Sequence, residues 1–190
     1  IKYKDKFMIG LIGAGKVGSS LARFFYEYYV HKSIDSLALS SVYSKHVTSA
    51  NETISLLKKI SCNQATACIP KVANSIAELV KNSDIIFVTV PDSVIPFVDE
   101  ELSLLGKEAL KDKLLVHCSG VLSAISAFKK SSVLTDTVSL HPMLDFNSKE
   151  TSIDSIQKAF FTLEGSNAGI QKIKTILNET GIEHTVLSND

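Results

Sequence analysis

One glycine spacing in the sequence has a direct chemical meaning. Gly13-Ala14-Gly15-Lys16-Val17-Gly18 lies between a short apolar run, residues 7–12, and the start of an amphipathic segment. A GxGxxG run between a strand and a helix is a dinucleotide-binding pattern. Gly13 permits a tight turn, Gly15 lets a pyrophosphate approach the backbone, and Gly18 lets the helix pack closely on the strand. The helix N-terminus offers free N–H groups and positive potential to the anion, and Ala14, Lys16 and Val17 complete the loop. The choice of dinucleotide falls to the end of the second strand, where an acid about 20 residues on would hold a ribose 2′-OH. That stretch reads Ser41-Val42-Tyr43-Ser44-Lys45-His46 and has no acid, while Asp35 lies at the strand's other end. Ser44 offers a hydroxyl, Lys45 a charge and protonated His46 a second cation to a 2′-phosphate. The residues therefore predict NADP rather than NAD; a solvated polar turn that contacts nothing is the plain alternative.

Three further segments bring reactive side chains to strand ends, where ligands bind in open α/β sheets. They are Thr89-Val90-Pro91-Asp92-Ser93, His117-Cys118-Ser119-Gly120 and Ser139-Leu140-His141-Pro142-Met143. His141 is the first candidate for moving a proton, because imidazole titrates near neutral pH. Ser119 and His117 are candidates for contacts to substrate or nicotinamide ribose. Cys118 reads as a packed thiol rather than a nucleophile. His31 and His184 read as surface positions. No metal site is expected, since Cys62 and Cys68 are too widely spaced for a knuckle and lack a suitably placed His.

Positioning these groups requires strands alternating with helices. Apolar runs at residues 7–12, 37–42, 84–90, 114–117, 133–140, 159–163 and 183–187 read as strands, with a short edge strand at 68–70. Helical periodicity covers residues 17–30, 94–105, with Gly106 as its stop, 122–130 and 168–180. A Ser49-x-x-Glu52 capping box is expected to start another helix, and Asn74 to cap one running to Val80. Residues 145–155 read as a polar surface loop. The pattern predicts a single doubly wound α/β domain with a mainly parallel sheet, a Rossmann-type dinucleotide-binding domain over residues 1–190.

Composition narrows the partners. The chain has 190 residues, 45% hydrophobic, with 20 basic against 20 acidic side chains, enough for one cored domain and neutral overall. Neutrality leaves no electrostatic footprint for nucleic acid or an anionic membrane. Every basic residue except Arg23 is Lys, so a phosphate site must rely on backbone N–H groups and Lys. Three cysteines read as reduced thiols of a cytoplasmic protein. Lys2, Lys4 and Lys6 before the first apolar run imitate a signal peptide, but Asp5, the shortness of the run and Lys16 argue against one.

GAGKVG together with VTVPDSVI, HCSG, SLHPM and FFTLEG resembles the Rossmann-like NADP oxidoreductase family in which a nucleotide domain precedes a helical domain of unknown function. It is similar more distantly to pyrroline-5-carboxylate reductase, deazaflavin-dependent NADP oxidoreductase and prephenate dehydrogenase. The resemblance runs from about Phe7 to the end. It implies cofactor contacts from the glycine loop, from Tyr43, Ser44 and Lys45, and from Val90, Pro91, Asp92 and Ser93 along the nicotinamide half. His141-Pro142-Met143 is also similar to a motif of prephenate dehydrogenases whose His meets substrate; Leu144-Asp145 depart from that pattern, so the substrate does not carry over. The resemblance further implies a C-terminal helical domain that dimerises and closes the pocket, which makes these 190 residues, by expectation, catalytically incomplete. The function expected is NADP-dependent hydride transfer with a small carbonyl, imine or hydroxy acid. A non-catalytic NADP-binding sensor or assembly module would keep the glycine loop and need neither His117 nor His141. Methyl transfer from S-adenosylmethionine is disfavoured by the missing acid after the second strand.

Overall fold

A computed structural model describes residues 7–31, 37–61 and 69–188. Cys62, Cys68 and Asp35 lie outside the described residues, as does the side chain of His31. Among the described residues eight strands form one sheet in the order β3-β2-β1-β4-β5-β6-β7-β8. They are β1 (Phe7–Ile12), β2 (Leu37–Tyr43), β3 (Lys71–Val72), β4 (Ile85–Val88), β5 (Leu114–His117), β6 (Asp136–Pro142), β7 (Phe161–Gly165) and β8 (His184–Val186). All neighbours pair in parallel except β6 with β7. The mainly parallel, doubly wound sheet expected from the sequence is therefore present. Its strand order reverses between β1 and β4, and a crevice opens beyond the strand ends at such a switch point.

Among the described residues eight helices cover the sheet: α1 (Lys16–His31), α2 (Val47–Ser61), α3 (Ile76–Lys81), α4 (Ile95–Leu104), α5 (Gly106–Leu110), α6 (Ala124–Ala127), α7 (Ile153–Lys158) and α8 (Asn167–Thr180). The strands alternate between two cores. Leu114 and Val116 face one core with α1, α2, α7 and α8, whereas Leu115 faces the other beside Phe128 of the α6 region. Leu21, Phe24, Phe25 and Tyr28 of α1 are buried on one face, in keeping with the helical periodicity over residues 17–30.

Several boundaries differ from the sequence reading. The Ser49/Glu52 capping box does not start α2, which begins two residues earlier at Val47. The Ser49 carbonyl instead accepts from the Thr53 hydroxyl, and Glu52 pairs with Lys149 at 2.7 Å. Ser75, not Asn74, caps α3 by accepting from the Glu78 N–H, while the Asn74 side chain binds the Glu78 carboxylate. The helix expected over residues 122–130 is the four-residue α6, because Phe128 turns into the core and Asp99 takes the N–H groups of Lys130 and Ser131. Strand β6 consequently starts at Asp136, not Val133. The loop at 145–155 ends inside α7: Ser152 caps the Ser155 N–H, and Ile153 and Ile156 pack against the core. The short edge strand forms just after Pro70, at Lys71–Val72.

Candidate cofactor and active site

The glycine loop is built as its spacing requires. Gly13 has φ +103°, in the left-handed region that favours glycine, and a Cβ there would press on the Thr89 backbone and the Val90 side chain. A Cβ on Gly18 would stand 2.0 Å from the Gly13 carbonyl oxygen, so only glycine allows α1 to approach β1 this closely. Gly15 differs. Beyond its immediate chain neighbours nothing lies within 4 Å of the place its Cβ would occupy, so packing within the chain does not require glycine there. The first helical bond nearby runs from the Ser19 N–H to the Gly15 carbonyl, which leaves the N–H groups of Lys16, Val17 and Gly18 ahead of the helical ladder. An open cradle, free N–H groups and the positive end of a 16-residue helix fit a pyrophosphate.

The three segments expected to hold a dinucleotide meet at this loop. The Gly13 N–H donates to the Tyr43 carbonyl at 2.8 Å, which ties the end of β2 to the turn. The Thr89 N–H donates to the Ile12 carbonyl at 2.8 Å, and the Thr89 hydroxyl donates to the Gly13 carbonyl at 2.9 Å. Thr89 thus buttresses the loop from the β4 side, a role its sequence context does not signal. Ser44 is half-buried, and Lys45 and His46 are exposed just before α2. Val90 is half-buried against Gly13, while Pro91, Asp92 and Ser93 are exposed around a 3₁₀ turn. Ala14 is buried and Lys16 exposed.

The three remaining candidates are close together but differ in access. His117, Ser139 and Glu164 stand in one row across β5, β6 and β7, and therefore on one face. His141, two residues after Ser139, shares that face beyond them. His141 is half-buried and its Nδ1 lies 3.3 Å from the Cys118 carbonyl. Ser119 is nearly buried, and its Oγ accepts from the N–H groups of Val121 and Leu122, so it shapes the turn after β5. Burial pushes the Cys118 thiol up to about 12, which keeps it protonated and unreactive. His184 is half-buried, with Nδ1 3.0 Å from the Ile182 carbonyl. Among the described residues no cluster of three His, Cys, Asp or Glu side chains could hold a metal, and no helix is long and apolar enough to cross a membrane.

His117 is fully buried against Phe128, with Nδ1 accepting from the Ser119 N–H at 3.2 Å. Its Nε2 has no partner in hydrogen-bonding geometry. Desolvation drives its pKa down to about 4; the Ser123 backbone and Asp92 oppose that shift only in part, and His141 adds to it. His117 is thus neutral at physiological pH and positions the loop from below. Between pH 6.5 and 4 the unfolded chain takes up a proton at this residue that the folded chain refuses, so stability falls as pH is lowered through that window. The loss attributable to His117 is roughly 3 kcal/mol. Thermal unfolding followed from pH 7 to pH 4 is expected to show a shallower pH dependence for His117→Asn than for the parent chain. Parallel curves would contradict this assignment.

Comparison with known proteins identifies the family. The family described as "NADP oxidoreductase coenzyme F420-dependent" matches residues 8–120, from β1 through the glycine loop to Gly120. Pyrroline-5-carboxylate reductase 2 of Macaca fascicularis is 28% identical over 128 residues, which are 64% of this chain and 33% of that protein. The chain thus spans a third of that relative's length. Among solved structures, Plasmodium falciparum pyrroline carboxylate reductase with NADP bound aligns with a TM-score of 0.62 at 17% identity, covering 97% of this chain and 58% of the other. Prephenate dehydrogenase from Aquifex aeolicus aligns at 0.69 and 16% identity, covering 95% and 61%. Protein TM1727 from Thermotoga maritima aligns at 0.61 and 25% identity, covering 94% and 56%. The match over more than half of the chain, with the glycine loop intact inside it, places the chain in the coenzyme F420-dependent NADP oxidoreductase family, whose cofactor is NADP.

Proposed function

We propose that this chain is the cofactor-holding part of an oxidoreductase that moves a hydride between NADPH and a small imine, carbonyl or hydroxy acid. The observation that carries the reading is the placement of the open Gly15 cradle and a half-buried imidazole at His141 on the same carboxyl-terminal side of the parallel strands, at β1 and β6. The 28% identical relative is a pyrroline-5-carboxylate reductase, which favours an imine among the three substrate classes. In this reading a helical domain and a second copy of the chain complete the substrate side, as the family resemblance implies.

Gly13, Ala14, Gly15, Lys16, Val17 and Gly18 would cradle the pyrophosphate through backbone N–H groups. Ser44 and Lys45 would bind the 2′-phosphate, with Tyr43 beside them. Val90, Pro91, Asp92 and Ser93 would flank the nicotinamide half. Bound NADPH supplies the hydride. In the reducing direction protonated His141 gives its Nε2 proton to the substrate nitrogen or oxygen, and solvent then restores the proton. Ser119 and His117 hold the loop beside it.

Two experiments test the reading. Lys45→Glu is expected to weaken NADPH binding by roughly 10–100-fold, the equivalent of one charge-assisted contact of about 1.5–3 kcal/mol, and to leave NADH binding nearly unchanged. Calorimetry that finds equal affinities for both cofactors in both proteins would contradict the 2′-phosphate assignment. The activity is tested by following NADPH oxidation against cyclic imines and 2-keto acids with the longest available form of the protein. Turnover of a member of that panel supports the oxidoreductase reading. Tight NADPH binding without turnover of any of them favours a non-catalytic sensor instead.

A further inference from the structure

Gly120 is not among the glycines with positive φ, so its backbone conformation does not demand glycine. Its side-chain slot is nevertheless closed. A Cβ at Gly120 would lie 2.7 Å from Cε1, 2.9 Å from Nε2 and 3.1 Å from Nδ1 of His141, and these ring atoms are the three nearest neighbours of that position. The imidazole occupies the space where residue 120 would carry its side chain.

The loop that carries Gly120 is held at both ends. The Ser119 N–H donates to His117 Nδ1, and the Ser119 hydroxyl oxygen accepts from Val121 and Leu122. Ser123 then caps α6, whose first N–H, at Ala124, donates to the Glu164 carboxylate at 2.7 Å. A loop fastened in this way yields less readily than the end of a side chain. His141 is fixed by one more group, the Cys118 carbonyl 3.3 Å from Nδ1. A carbonyl oxygen only accepts, so this contact requires the proton of the neutral ring to be on Nδ1, which leaves the lone pair on Nε2.

We propose that Gly120 is a positioning residue for His141: its missing side chain seats the imidazole against the loop, Nδ1 donates to the Cys118 carbonyl, and Nε2 is the atom that exchanges the proton. The functional half rests on the reading of His141 as the proton carrier; the seating does not. Gly120→Ala pushes the ring off its seat while the pinned loop keeps the fold. A displacement of about 1 Å at a reacting group is enough to cost on the order of 100-fold in rate.

The test is the two-bond ¹H–¹⁵N spectrum of the His141 imidazole, recorded with the ring neutral. The parent chain is expected to show the proton on Nδ1, and Gly120→Ala to lose that preference while amide signals away from residues 118–123 and 141 stay in place. A proton on Nε2 in the parent chain, or an unchanged pattern in Gly120→Ala, overturns the proposal. Should Gly120→Ala unfold, thermal stability in a double-mutant cycle decides: its penalty is expected to shrink when residue 141 is also changed, in His141→Ala. An equal penalty in both backgrounds overturns the seating. Full turnover by His141→Asn would overturn the functional half alone, which the tautomer measurement separates from the seating.

Discussion

Gly15→Val is expected to abolish measurable NADPH binding in a chain that remains folded. The two halves of that statement rest on one observation, the empty space around the position of its Cβ. Because no atom beyond its immediate chain neighbours lies within 4 Å of that Cβ position, the new side chain has room and the domain is expected to keep its packing. The same space is where a pyrophosphate would approach the N–H groups ahead of the α1 ladder. Excluding the phosphates from two charge-assisted bonds of about 1.5–3 kcal/mol each lowers affinity by 100-fold or more. Gly18 is the contrasting control. A side chain there meets the Gly13 carbonyl at 2.0 Å, so Gly18→Val is expected to disturb the fold as well as the site. Unchanged NADPH affinity in folded Gly15→Val would show that the pyrophosphate lies elsewhere.

The second large effect is on turnover. His141→Asn is expected to lower kcat/KM by roughly 10²–10⁴-fold, the usual contribution of a positioned general acid or base, with NADPH affinity retained. Asn keeps a donor for the Cys118 carbonyl but cannot exchange a proton near neutral pH. The measurement is steady-state NADPH oxidation with an imine substrate by a form of the protein that carries its substrate pocket. A loss under about threefold would remove His141 from the mechanism and return attention to its neighbours.

Most of the scaffold was legible because its signals are local. The apolar runs that became β1, β4 and β5 are continuous and short, and GxGxxG falls where a strand hands over to a helix. What escaped depended on distant partners. Glu52 finds Lys149 rather than the cap of its own helix, and Asp99 claims the N–H groups that residues 130 and 131 would have spent extending α6. The antiparallel return of β7 could not be read from an alternation of strands and helices that otherwise specifies parallel crossovers. Ser152, Ile153 and Ile156 carry a local signal for α7, a cap followed by apolar residues at helical spacing, within a segment whose polar residues dominate.

The site divides in the same way. Gly13 and Gly18 carry their packing roles in their spacing, and their surroundings match them, while the position of a Cβ on Gly15 opens onto empty space. His117 and His141 look equivalent in sequence, as strand-end histidines, yet one is fully buried and the other half-buried. That difference comes from Phe128 and the turn at Ser119, which place one ring beneath the loop and leave the other against its rim. The fit of His141 to Gly120 joins residues 21 positions apart and leaves no trace in either local sequence.

The most direct test of the central claim is a crystal structure of the chain with NADPH bound. The account predicts the diphosphate over Gly15, the 2′-phosphate at Ser44 and Lys45, and the nicotinamide beside Val90 with its reactive face turned toward His141. A diphosphate bound away from Gly15, or a nicotinamide directed away from His141, would contradict it.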